Sequence, residues 1–226
     1  VIAYFVKLAT VDATLYVAGK YTGTPNAAWF GGLVAGIATL VFFLFGYPLV
    51  TGSIGRDRET EVGELLAASP LSNTNYLLGK WLSNVAVLTV ATTILVVATT
   101  VSFLLQGTGP LNLAGLISPF LLITMPTMAV VAAAAVCFET IGPLRGTLGT
   151  VVYFVSVFGL VVASVPPHSP LDFTGLVALR ESMASSIAAQ YPGFEGPVGS
   201  FAYSTGRSGV QTFTWSGIAW TRDIFI

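Results

Sequence analysis

Residues 81–138 read WLSNVAVLTVATTILVVATTVSFLLQGTGPLNLAGLISPFLLITMPTMAVVAAAAVCF. These 58 residues contain no Lys, Arg, Asp, Glu or His. A helix that crosses a bilayer needs about 20 apolar residues at about 1.5 Å each, so the run holds two spans. Gln106-Gly-Thr-Gly-Pro-Leu-Asn112 is the only break in it, which predicts spans at Trp81–Leu105 and Leu113–Phe138. Two shorter charge-free runs flank it. Residues 21–55 accommodate a span at Trp29–Val50, and residues 146–167 one at Thr147–Val165, ended by Pro166-Pro167.

Composition agrees. The chain has 226 residues, of which 54% are hydrophobic and 8% charged, with nine Lys+Arg against ten Asp+Glu. A soluble domain carries about a quarter charged residues, so a water-soluble fold is excluded. The balanced charge offers no basic field for nucleic acid. The single cysteine, Cys137, excludes an internal disulfide and a cysteine-based zinc site. The expected fold is all-α: a polytopic transmembrane bundle, with one amphipathic helix on the cytoplasmic side and one on the outer side.

Orientation follows from the basic residues in short loops. The loop 51–80 carries Arg56, Arg58 and Lys80, and the loop 139–145 carries Arg145. The turn 106–112 carries none. The two basic loops are therefore assigned to the cytoplasm, and the 166–214 segment to the outside of the plasma membrane. The opening stretch Val1–Gly19 holds Lys7 and Asp12 among apolar residues and reads as an amphipathic segment at the membrane surface. The absence of Met at position 1 and the apolar ending Asp223-Ile-Phe-Ile226 suggest that further spans lie beyond both ends.

Within the loop 51–80, Val62, Leu65, Leu66 and Ser69 share one face at helical spacing, while Asp57, Glu61 and Glu64 share a polar one. Pro70 stops this helix, and Ser72 is placed to cap the next. In the outer segment, Leu176, Leu179, Met183 and Ile187 make one stripe, predicting a helix over Gly175–Tyr191 that lies on the membrane or on the spans. The aromatics of Tyr203–Trp220 suit an interfacial belt. Pro119 and Pro126 predict kinks. Glu139, at a span end, reads as an interfacial charge beside Arg145.

No Gly-rich phosphate loop is present, so ATP hydrolysis is not expected of this chain. The spans hold no Ser/His, Glu/His or Asp pair for intramembrane hydrolysis, and no ionisable group for proton coupling. His168 stands in Pro-Pro-His-Ser-Pro without metal-ligand neighbours and reads as a solvated loop residue. No metal, cofactor or catalytic residue is expected, and no substrate-binding residue can be read.

The loop carries a resemblance. Arg56-Asp57, then Glu64-Leu-Leu-Ala-Ala-Ser-Pro70-Leu-Ser72, then Tyr76-Leu-Leu-Gly-Lys80-Trp-Leu82 resembles the inner loop of permease subunits of ABC exporters of the ABC-2 type. Phe138–Gly146 and Thr212–Trp220 are similar to a subgroup of them. The resemblance covers most of the chain, and residues 1–226 are expected to form a single such domain. It implies six spans, a second permease copy, and a separate cytoplasmic ABC ATPase that binds the ATP. It also implies that a coupling helix around Arg58–Ala68 docks in that ATPase through Val62, Leu65 and Leu66, with Arg58, Glu61 and Glu64 at the rim. One departure is Asn73, where family members often have a basic residue after Pro-Leu-Ser. A non-transporting membrane scaffold with the same fold is the alternative.

Overall fold

The computed structural model describes residues 13–17, 21–59, 72–164, 172, 174–194, 201–205 and 211–218. Among these, the order is β1 (Ala13–Val17), β2 (Tyr21–Gly23), α1 (Ala27–Val50), α2 (Ser53–Glu59), α3 (Asn73–Gln106), α4 (Leu113–Pro119), a π turn (Phe120–Thr124), α5 (Met125–Thr140), a 3-10 turn (Gly142–Leu144), α6 (Thr147–Ala163), α7 (Leu176–Gln190), β3 (Phe201–Thr205) and β4 (Gln211–Phe213). The protein is predominantly helical, as expected for an all-α membrane protein.

Among the described residues, three helices are long and apolar enough to cross a membrane: Ala27–Gly55, Asn73–Gln106 and Leu113–Thr140. Thr147–Ala163 is apolar but shorter, at 17 residues. Asn26 caps α1, its side chain accepting from the Trp29 N–H at 2.8 Å. Ser72 caps α3 as its position predicts, accepting from Asn75 N–H at 3.3 Å. The 34 residues of α3 extend about 51 Å. That exceeds the roughly 30 Å apolar core of a bilayer, and the first turns, Asn73–Lys80, are the part that precedes the charge-free run. Pro119 closes α4, and the chain passes straight into the π turn. The helical path runs on from Leu113 to Thr140, so Pro126 lies inside it, and the wider π turn just before it falls where its missing N–H breaks the ordinary bonding pattern.

α1 is the hub, packing on α3, α4, α5, α6 and α7. The two largest apolar cores lie toward its ends, with two smaller clusters around Ala27 and around Ala35 and Ala38. One joins Phe43, Tyr47 and Val50 to Leu88, Met128, Val131, Ala132, Ala135, Tyr153 and Val157 at the end nearest the 51–72 loop. The other joins Trp29 and Ala28 to Ile123, Leu179, Met183, Ile187, Phe213, Trp215 and Ile218 at the opposite, sheet end. Between them, the Thr39 and Thr124 hydroxyls meet at 2.9 Å, and Thr39 also donates to the Ala35 carbonyl.

Two expectations are corrected at the sheet end. Within the opening stretch, Ala13–Val17 is a strand and not an amphipathic surface segment; it pairs antiparallel with both β2 and β3. β4 pairs parallel with β2, giving the order β3-β1-β2-β4. Nor do the aromatics around Phe213 form a belt: Phe213 and Trp215 are fully buried. Trp215 seats against Gly32 of α1, and its indole N–H donates to Ser182 at 3.1 Å.

α7 matches the expected helix within a residue at each end, and its stripe of Leu179, Met183 and Ile187 is buried. It packs on the spans. Gly36, which a Leu179 methyl approaches, lies nine residues or about 13 Å along α1 from Ala27. Gly175, at φ +71, rests against Ile123 of the π turn. The N-terminal turn of α7 thus begins among the spans.

Candidate functional site

Among the described residues, the charged side chains of the spans and their short connections, Asp57, Lys80, Glu139 and Arg145, gather at the loop end, around α2. This short helix follows α1 after a turn in which Gly52 takes φ +85, a conformation that suits glycine. Its open N–H groups are met by a distant residue. The Glu139 carboxylate, near the end of α5, accepts from Gly52 N–H, from Ser53 N–H at 3.2 Å and from Ile54 N–H at 2.6 Å. Glu139 is only 7% exposed. The first N–H groups of a helix have no partner within it, and the two Glu139 oxygens supply acceptors for them.

The far side of α2 is held by α3. Lys80 pairs with Asp57 at 2.7 Å and also donates to the Ser53 carbonyl at 3.0 Å. The Tyr76 hydroxyl donates to Asp57 at 2.7 Å. Tyr76 and Lys80 are one helical turn apart, so both reach the same carboxylate. The Arg145 guanidinium closes the end of α5, donating to the carbonyls of Glu139 at 2.8 Å and Thr140 at 3.2 Å. Trp81 donates to the Ala129 carbonyl at 3.0 Å and fastens α3 to α5 just beyond.

Two readings change. Glu139 is not an interfacial charge beside Arg145. Its carboxylate turns inward to α2, and Arg145 reaches its backbone carbonyl instead. Asp57 is not a solvated member of a polar face; α3 holds it. Both follow from the bend at Gly52, which folds α2 back against the ends of α3 and α5.

Of the residues expected to dock an ATPase, Arg58 falls in α2, while Glu61, Val62, Glu64, Leu65 and Leu66 lie outside the described residues. His168 also lies outside them. The anchors Glu139, Tyr76, Lys80 and Asp57 were not singled out as a site by spacing. One signal for Glu139 was present: it is the only Asp, Glu, Lys, Arg or His between Lys80 and Arg145. Among the described residues, no group of three or more His, Cys, Asp or Glu could hold a metal ion.

At the loop end, then, an apolar bundle presents a short basic and acidic helix clamped from two spans. The family model described as ABC-2 family transporter protein matches residues 7–179, more than half of the chain and all of this joint. The chain belongs to the ABC-2 transporter family. It is a membrane-embedded protein of the permease type, whose family works with a separate ABC ATPase. Neither the curated proteins nor the solved structures yield a match.

The first helix of the loop makes hydrogen bonds or ion pairs with α3 and α5 at several points, besides its covalent link to α1.

Proposed function

We propose that this protein is the membrane-spanning permease subunit of an ABC exporter in the plasma membrane, crossing it several times. A cytoplasmic ATPase subunit binds and hydrolyses the ATP; this chain carries no cofactor and catalyses no reaction. Loop 51–80 faces the cytoplasm and receives the ATPase through Val62, Leu65 and Leu66, with Arg58, Glu61 and Glu64 at the rim of the contact. ATP-driven closure of the ATPase then rocks the spans of a pair of permease copies between inward and outward access.

The observation that carries this reading is the clamping of α2 by Glu139 from one span and by Lys80 and Tyr76 from another. The carboxylate satisfies the open N–H groups at the start of α2, and in doing so it fixes the base of the loop, as a loop that transmits force requires. The family match across the whole loop supports the same reading.

Co-purification of the ATPase with the full-length permease tests it. Leu65→Asp buries an ionised carboxylate in the contact, at a cost of several kcal/mol, and should abolish the complex while membrane insertion continues. Glu61→Gln alters one rim charge worth about 0–1 kcal/mol and should leave the complex intact. If Leu65→Asp still binds the ATPase and supports the native hydrolysis rate, the docking assignment fails and the scaffold alternative gains.

A further inference from the structure

We propose that Glu139 is a positioning residue that makes α5 move with loop 51–80, and that α5 carries the movement to the N-terminal turn of α7 at the opposite end of the bundle. This rests on the reading of the loop as the ATPase contact.

The inner joint is built on α5. Both Glu139 oxygens are engaged by three successive N–H groups around the start of α2, and the residue is buried. Charge-assisted bonds of this kind are stronger than neutral ones. Displacing α2 without α5 would leave a buried carboxylate unpaired, which is costly. So the two elements are energetically tied, although 85 residues separate Glu139 from Ile54.

The rod is stiff. From Thr127 to Thr140, α5 contains neither Gly nor Pro, and Val131, Ala132 and Ala135 are packed in the loop-end core. Its far end reaches a second joint. There the helix passes into the π turn, a geometry associated with functional sites. Ile123 of that turn lies against Gly175, the residue that starts α7. The space at Gly175 is tight: a Cβ there would stand 3.3 Å from Ile123. Asp172 fixes the same turn, accepting from Val177 N–H at 2.9 Å and Ala178 N–H at 3.2 Å. Coupling between distant sites travels through contiguous packed elements: α5 makes the loop-end joint, and the π turn that continues its helical path makes the contact with Gly175.

The test uses the full-length permease with its ATPase in lipid nanodiscs, in a Cys137→Ser background. Spin labels at Leu111→Cys, in the α3–α4 connection, and Ser185→Cys, on the exposed side of α7, report the outer distance before and after trapping with ATP and vanadate. The expected result is a distance shift on trapping in the otherwise native chain. That shift should be lost in Glu139→Gln, which still co-purifies with the ATPase. Ser53→Pro is the second variant. It removes one of the three donors from the α2 side, at a helix start where proline is tolerated, and should reduce the shift. A full shift in whichever of the two variants accumulates overturns the proposal, as does the absence of any shift in the native joint when the ATPase is bound. An ATPase that never co-purifies overturns the permease reading itself, and this inference with it.

Discussion

At the scale of single residues, position in the packing decides what a side chain does. Trp215 reads as a membrane-interface aromatic from its neighbours in sequence, yet it is fully enclosed over Gly32 and bonded to Ser182. It also places its carbonyl for the Asn26 side chain, 189 residues away, at 2.8 Å. Trp215→Ala should destabilise the sheet end by about 3–5 kcal/mol, the range for emptying a large aromatic site. The measurement is the thermal midpoint in detergent, with Trp215→Phe as a milder comparison that keeps most of the ring. A midpoint unmoved by Trp215→Ala would show that the indole is not packed as described. Glu139 makes the same point in reverse. Its isolation in a long uncharged stretch was visible in the sequence. Its partners were not, because they are backbone amides and any residue supplies those.

Helices in this bundle approach closely where the sequence supplies glycine. A Cβ at Gly31 would stand 2.3 Å from the Leu116 carbonyl oxygen, which belongs to the α4 backbone and cannot swing aside. Gly31→Ala should force α1 and α4 apart and cost about 1–3 kcal/mol, as overpacking does. Gly159 in α6 has nothing within 4 Å of the same added atom. Gly159→Ala should therefore change stability by no more than about 1 kcal/mol, the size of the helix-propensity difference. Denaturation midpoints of the two variants, measured side by side, separate close packing from helix propensity. Equal effects would refute the α1–α4 contact. The helices themselves were legible from charge-free runs and from caps such as Ser72. The difference between Gly31 and Gly159 was not, since both sit in apolar helices and only the neighbouring element distinguishes them.

For the whole molecule, orientation in the membrane is the property that every functional statement depends on. The asymmetry of Arg56, Arg58, Lys80 and Arg145 predicts that the loop end faces the cytoplasm and the sheet end the outside. Asn73 and Ala189 are exposed and lie toward opposite ends. With Cys137→Ser as background, an impermeant thiol reagent should label Ala189→Cys in intact cells, and Asn73→Cys only after the membrane is opened. The opposite labelling would place the loop outside and remove its access to any ATP-driven partner.

The class of molecule, its long apolar helices and its family were legible in the order of residues. These properties are local or additive: hydrophobic length, charge spacing and a contiguous loop motif need no information about contacts. The α7 stripe was legible there too, because amphipathic periodicity names the face to be buried before its partner is known. Not legible there were the pairing of residues 13–17 with 201–205, the seating of Trp215 in a notch of α1, and the hold of Glu139 on α2. Each joins positions separated by more than 80 residues, and short strands and single side chains carry no periodic signal of such a meeting. What selects the partner is the requirement that buried backbone amides and a buried carboxylate be satisfied. That condition becomes definite only once the helices have brought the groups together.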